Sequence, residues 1–131
     1  MLTHTPTYLY DLPIYKKAME IFTLSQNISM YLKNDLSGLK EDGSEDINIY
    51  FSGDIVQQSV SLAPEIVNAE LERYSERKHK HIASLRRLTN LLYKNSYKLE
   101  RSHSNGKDFL PILRAELRKF KKLQRNWRLS L

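Results

Sequence analysis

Four stretches of this chain repeat apolar residues at alternating intervals of four and three, and this repeat constrains the fold more than any other feature. The C-terminal stretch shows the longest series: Leu113, Leu117, Phe120, Gln124, Trp127 and Leu131. Because an α-helix turns once in 3.6 residues, this spacing places the side chains on one face, where they can pack against other helices. We predict a helix over 109–130, with Asp108 as its N-cap and Pro111 in its first turn, where the missing N–H does no harm.

The same spacing recurs three times earlier in the chain and predicts helices over 12–33, 50–75 and 80–101. Pro64 lies inside the second of these and should kink it near residues 60–64, because proline removes a hydrogen bond and clashes with the preceding turn. The polar run from Ser75 to His81 is expected to contain the next turn. Four such helices with short later connections predict an all-α fold, an antiparallel up-down four-helix bundle.

Length and composition fit a single domain over residues 1–131. We expect residues 1–10 to be a tail and residues 34–48, which carry five acidic side chains and two glycines, to be an acidic mobile loop. The chain has no cysteine, which excludes disulfides, thiolate catalysis and cysteine-ligated metals. No apolar run approaches the ~20 residues of a membrane span, and the start does not look like a signal peptide. We therefore expect a cytoplasmic protein that does not associate with membranes.

Motifs that would carry catalysis or bind a metal are weak in this sequence. Two Glu-x-x-His matches occur, at Glu76 with His79 and at Glu100 with His103, and paired motifs of this form build di-iron sites in helical bundles. Along one helix, however, the two matches would lie about 36 Å apart, too far to share a metal. We find no nucleophile motif around a serine and no glycine-rich phosphate loop. The expectation is a protein that is not an enzyme and needs no cofactor and no metal.

Charge is divided unevenly along the chain. The formal net charge is +6, but residues 1–72 hold four Lys or Arg and eleven Asp or Glu, a balance of −7. Residues 73–131 hold seventeen and four, a balance of +13. This asymmetry indicates either a polyanionic partner for the second half or attraction between unlike halves of neighbouring copies.

The basic residues of the second half form two stripes at helical spacing. One stripe lies on the third predicted helix, opposite its apolar face, and is expected to face solvent. The other lies on the fourth helix, about 100° from its apolar face, and is expected to adjoin a neighbouring helix or subunit. We predict that these stripes contact nucleic-acid phosphates, with strong salt dependence and little sequence preference. Their members are Lys80, Arg87, Lys94, Lys98, Arg101, Arg114, Arg118, Lys121, Arg125 and Arg128.

The eight tyrosines could stack bases, but most of them lie at or beside the apolar faces, where core packing or a subunit interface is the expected use. Tyr93 and Tyr97, which adjoin Lys94 and Lys98, are the exceptions.

Several segments resemble a known family. These are LPIYKKAMEIF (12–22), YFSGDIVQQSV (50–60), VNAELERYSERKHKHIASLRRLTNLL (67–92) and LQRNW (123–127). In order and spacing they resemble the four-helix-bundle accessory variability determinant proteins of diversity-generating retroelements, and the related bundle proteins encoded in ribosomal-RNA intervening sequences.

The resemblance implies a non-enzymatic bundle that assembles as a homo-oligomer, typically a pentameric ring, with a basic surface that binds RNA or DNA. It also implies a reverse transcriptase as partner. The alternative that the charge pattern leaves open is a structural or scaffolding bundle whose basic half binds acidic surfaces of other subunits or of a protein partner.

Overall fold

The computed structural model describes residues 6–36, 48–101 and 105–131 and forms an all-α four-helix bundle. Its helices are α1 (Pro13–Leu36), α2 (Asn48–Val60), α3 (Leu62–Leu71), α4 (Ser75–Leu99) and α5 (Leu110–Ser130), and short 3-10 turns over Thr7–Asp11 and Asn105–Phe109 precede α1 and α5. Helices α2 and α3 together make the second wall of the bundle. The described ranges contain no strand, which confirms the predicted fold class.

The predicted apolar faces meet in one core. Ile21 of α1, Ile66 of α3 and Phe120 of α5 are completely buried, as are Leu85, Leu92 and Leu99 of α4. Burial of such a side chain contributes about 1.5–3 kcal/mol, so these faces hold the bundle together. Two small polar residues within the faces bond to their own helices, since the Thr89 hydroxyl donates to the carbonyl of Leu85 at 2.7 Å and the Ser59 hydroxyl donates to that of Val56 at 2.9 Å. A hydroxyl satisfied in this way can be buried at little cost.

The kink predicted near Pro64 is present as a break at Ser61, between α2 and α3. The Ser61 N–H donates to Gln58 at 3.3 Å and its hydroxyl donates to Gln57 at 2.9 Å. The break places Pro64 in the first turn of α3, where a helix needs no N–H from it. The chain thus avoids the clash that a proline causes in mid-helix.

The prediction for the turn before α4 was wrong in position. Residues 75–81 are helical, and the chain reverses over Glu72–Tyr74, where the Glu72 carboxylate accepts the Tyr74 N–H at 3.2 Å. The charged run was read as a turn because it is polar. Glu, Arg and Lys are good helix formers, however, and these side chains lie on exposed turns at the start of α4.

Asp108 was also assigned incorrectly. Residues 105–109 form a 3-10 turn, α5 begins at Leu110, and Phe109 stands at the N-cap without a side-chain hydrogen bond. Pro111 does lie in the first turn of α5, as predicted. A 3-10 turn that leads directly into a helix replaces the side-chain cap with backbone hydrogen bonds.

Two predicted segments are only partly described. Of the tail, residues 7–11 form a 3-10 turn whose Leu9 is fully buried and whose Tyr10 ring lies 5.3 Å from that of Tyr15, edge to face. The acidic loop was predicted over 34–48, but α1 extends to Leu36 and α2 begins at Asn48. Residues 37–47 lie outside the described residues.

Candidate nucleic-acid interface

Helices α4 and α5 lie side by side, and their contacts position most of the predicted basic residues. Glu100 pairs with Arg114, Tyr93 with Arg118, and Thr89 with Gln124. The numbers fall along α4 as they rise along α5, which is the order expected of two helices that run in opposite directions. The basic stripe of α5 therefore lies along the seam between the two helices.

A groove opens where this seam reaches the C-terminal half of α5. Its volume is about 210 Å³. Four cationic side chains line it, Arg86 from α4 and Lys121, Arg125 and Arg128 from α5. We call this groove the basic groove. The other lining residues are Ile82, Thr89, Asn90, Gln124 and Trp127.

The floor of the basic groove is held by hydrogen bonds. Gln124 donates to the Thr89 hydroxyl at 2.7 Å, and the indole N–H of Trp127 donates to the Glu70 carboxylate of α3 at 2.7 Å. These bonds fix α5 against α4 and α3, so the groove does not need to form when a ligand arrives. The second bond also pairs the Glu70 carboxylate with a neutral N–H donor rather than with a cation of the groove.

No carboxylate within the described ranges forms an ion pair with the four cations of the basic groove. Arg86, Arg125 and Arg128 are also exposed. Like charges gathered on one surface repel one another and leave a positive potential that a polyanion relieves. Phosphate is the natural ligand for such a group, because guanidinium presents paired N–H donors to its oxygens.

The basic surface continues onto the outer face of α4. Arg86 also lines a second, shallower concavity with Arg87 and Lys94, together with Ala83, Asn90 and Leu91. Arg86 thus joins the stripe of α4 to that of α5. The result is one cationic surface around α4 rather than two separate stripes.

Farther along the seam, beyond Lys121, two tyrosines of α4 contact the cations of α5. The Arg118 guanidinium donates to the Tyr93 hydroxyl at 3.3 Å, and the Lys121 ammonium lies 4.7 Å from the centre of the Tyr93 ring. The Tyr97 ring meets that of Tyr93 edge to face at 5.5 Å. The Arg118 hydrogen bond is the main cause that lowers the pKa of Tyr93 below its ordinary value. We call Tyr93, Tyr97, Arg114, Arg118 and Lys121 the cation–tyrosine cluster.

Arg114 differs from the rest of its stripe. It is only 7% exposed, its guanidinium pairs with Glu100, and its Cζ lies 4.1 Å from the centre of the Tyr97 ring. The charge of Arg114 is therefore neutralised within the protein, and its contacts hold α5 against the C-terminal end of α4. Arg114 has little surface left to offer a phosphate.

The remaining predicted residues, Lys80, Lys98 and Arg101, are all exposed. Lys80 lies near the N-terminal end of α4, Lys98 near its C-terminal end, and Arg101 just beyond that end. The structure thus gathers Lys121, Arg125 and Arg128 at the basic groove, places Arg87 and Lys94 on the adjoining concavity, and leaves Lys80 and Arg101 toward opposite ends of α4.

Arg86 was missed by the sequence analysis. It follows Leu85 of the apolar face and lies outside the seven-residue spacing of the stripe on α4, so nothing in the repeat distinguished it. Arg86 lies four residues after Ile82 and four before Asn90, and this spacing is visible in the sequence. The spacing identifies a wall of the groove only once α5 is known to pack against that flank of α4.

The side of α5 that faces α1 has a different electrostatic character. Glu116 pairs there with Lys17 of α1 at 2.8 Å and with Lys119 at 3.1 Å, and Lys17 also pairs with Glu20 at 2.6 Å. The hydrogen bond between Lys17 and Glu116 is the largest cause both of the raised pKa of Lys17 and of the lowered pKa of Glu116. Cations on this side already have carboxylate partners.

Two further features of the described residues concern metal binding and membrane insertion. Within residues 6–36, 48–101 and 105–131, no three His, Asp or Glu side chains gather where a metal ion could bind. In the same ranges no helix combines the length and the apolar character that crossing a membrane requires.

Compared with known proteins, the chain matches no family model, no curated protein and no solved structure.

Proposed function

We propose that this protein is a non-enzymatic nucleic-acid-binding accessory protein that holds the phosphate backbone in the basic groove. The observation that carries the proposal is the meeting of Arg86, Lys121, Arg125 and Arg128 in one preformed groove whose cations have no carboxylate partner in the described part of the chain. A cluster of this kind gains free energy from a polyanion through release of condensed counterions.

The same chemistry limits what the surface recognises. Contacts to phosphates position a nucleic acid but carry no sequence information, and the described residues include no recognition helix set to enter a DNA groove. We therefore expect the groove to bind the sugar–phosphate backbone without sequence preference, with an affinity that falls as salt concentration rises. RNA and DNA are both ligands on this reasoning.

The test is a titration of the protein with labelled RNA and DNA oligonucleotides over a range of salt concentrations. Each phosphate contact to a duplex contributes about 0.9 to the slope of log K against log salt, so the double variant Arg125→Ala with Arg128→Ala should reduce the slope by about 2. Lys16→Ala with Lys107→Ala removes the same charge from exposed positions that do not line the groove and is the matched control. Absence of binding by the wild-type protein at low salt would refute the proposal.

The family resemblance supplies the biological setting of this proposal. On it, the nucleic acid belongs to a retroelement reverse-transcription complex, the partner is a reverse transcriptase, and the protein works as a homo-oligomer in the form of a pentameric ring. Co-purification of a reverse transcriptase with the tagged protein from its native cell, in the presence of nuclease, tests the partner separately from the nucleic acid.

A scaffolding role is the second candidate, and an apolar surface on α1 favours it. Met30 and Tyr31 are 64% and 55% exposed, and with Leu24 and Phe109 they line a concavity of about 580 Å³. The rings of Tyr31 and Phe109 stack at 5.5 Å. Exposed apolar groups that cluster in this way are typical of protein interfaces.

Sedimentation at low and high salt distinguishes the two ways of assembling. An oligomer held through the apolar surface persists in high salt and is lost in the variant Met30→Ser with Tyr31→Ser. An oligomer held by the basic half against acidic surfaces dissociates in high salt instead. A monomer under all conditions would refute the scaffolding role.

A further inference from the structure

Tyr97 stands out among the exposed aromatic residues because cations approach it from two helices. It is 51% exposed near the C-terminal end of α4. Lys94 lies three residues before it, which places it beside Tyr97 on the same face of α4. Arg118 and Lys121 approach from α5 through their contacts with Tyr93.

The ring of Tyr97 is held in place by two contacts. Arg114 covers one face, with its Cζ 4.1 Å from the ring centre, and Arg114 is fixed in turn by Glu100. The edge contact with Tyr93 limits rotation of the ring. The half of Tyr97 that remains exposed therefore belongs to a ring that is already ordered, which lowers the entropy cost of stacking another ring on it.

The cation beneath the ring also favours this use. Arg114 polarises the π system of Tyr97 toward its own side, and a planar base can stack on the opposite face while its phosphates meet Lys94, Arg118 or Lys121. In a duplex the base faces are covered by neighbouring base pairs. Only an unpaired nucleotide can offer a face to the ring.

We propose that Tyr97 is a stacking site for an unpaired base, so that this surface binds single-stranded nucleic acid in preference to duplex. The inference rests on the proposed function, because the phosphates of the same strand would lie along the cationic surface that leads to the basic groove. Stacking of one base on an aromatic side chain contributes about 1–3 kcal/mol, which corresponds to about 5- to 150-fold in affinity.

Three variants isolate the ring. Tyr97→Leu removes the aromatic surface, and Tyr97→Phe keeps it while removing the hydroxyl. Tyr74→Leu is the matched control, because Tyr74 is 65% exposed and carries Arg77 over its ring at 5.1 Å, yet it lies at the far end of α4, about 34 Å away. Each variant is titrated with a labelled single strand of about 20 nucleotides and with a fully paired duplex of equal charge, at one low salt concentration.

The expected result is a loss of about 5- to 150-fold for the single strand with Tyr97→Leu, no change for the duplex, and near wild-type binding with Tyr97→Phe and Tyr74→Leu. Tyr97→Leu also removes the ring on which Arg114 packs, so the variant could lose affinity for a second reason. A crosslink on the wild-type protein avoids this ambiguity. A single strand carrying 5-iodouracil, irradiated in the complex, should crosslink to Tyr97.

The possible failures are distinct. Equal losses for single strand and duplex, a wild-type preference for duplex, or a crosslink that maps elsewhere would overturn the stacking site and leave the basic groove as the binding surface. Wild-type protein that binds neither nucleic acid would overturn the proposed function together with this inference.

Discussion

Helix α5 meets α1 on one side and α4 on the other, and its charged residues have opposite roles on the two sides. Toward α1, Glu116 lies between Lys17 and Lys119, and the charges are matched within the protein. Toward α4, Arg114 finds Glu100, but the cations of the basic groove have no such partner in the described residues. The spacing of the cations along α5 is regular throughout.

The difference shows that a basic stripe does not define a binding surface by itself. Arg114 and Arg125 belong to the same stripe, and the residue on the facing helix determines which of them is available to a ligand. A carboxylate on α4 makes the first a structural residue. Its absence farther along the seam leaves the second for an external anion.

The largest effect is expected from Arg114→Ala. This change leaves Glu100 without its partner and removes the cation beneath Tyr97, and we expect the free energy of unfolding to fall by about 3 kcal/mol. Chemical denaturation measures it. Arg125→Ala, a matched substitution in the same stripe, should stay within about 0.5 kcal/mol of wild type. Equal costs for the two variants would contradict the division of the stripe into a structural and a binding part.

A smaller effect is expected from Glu116→Gln on the α1 side. Its folded-state pKa is lowered, so the stabilisation by Glu116 is present above its ordinary pKa of 4.5 and is lost as the pH falls through the folded value. Lys17 has a raised pKa, so its share is present below 10.5 and disappears as the pH rises through the folded value.

Between those limits, Glu116→Gln should lower the free energy of unfolding by about 1 kcal/mol, since the pair is only partly shielded from solvent. Denaturation of both proteins across acidic pH provides the measurement. The two curves should converge in acid, and a difference that stayed constant there would show that packing, rather than charge, makes Glu116 stabilising.

The smallest effect is expected within the cation–tyrosine cluster. Arg118→Leu removes the main cause of the lowered pKa of Tyr93, so that pKa should rise toward its ordinary 10.0. Absorbance of tyrosinate during a pH titration, with Tyr93→Phe to identify the signal, reports the shift. Lys122→Leu removes a cation from an exposed site of α5 outside the cluster and should leave the titration unchanged.

The fold could be predicted from the sequence because the apolar repeat is local information. Ile14, Ala18 and Ile21 of α1 follow the repeat, and all three are buried. Helix ends were predicted less well, since residues 75–81 are polar and yet helical, and Asp108 does not cap α5. Ends depend on the backbone hydrogen bonds of a few residues, and composition does not specify these.

The candidate site was predicted in part. The cations Arg87, Lys94, Arg125 and Arg128 were identified from spacing alone. Arg86 was missed, and Arg114 was predicted to contact phosphates although it is buried and paired with Glu100, because both depend on what lies across the seam. The contact between Tyr97 and Arg114 joins residues on different helices, so it could not be seen in either helix alone.

The sequence by itself determined that this protein is a bundle of helices with its positive charge concentrated in the second half, because periodicity and charge order are properties of the chain. The tertiary structure decided which cations remain available. Pairing α4 with α5 brings Glu100 to Arg114 and leaves the four cations of the basic groove without an ion pair in the described residues. The physical reason is that neutralisation requires two charges within a few ångströms, and for residues on different helices only packing sets that distance.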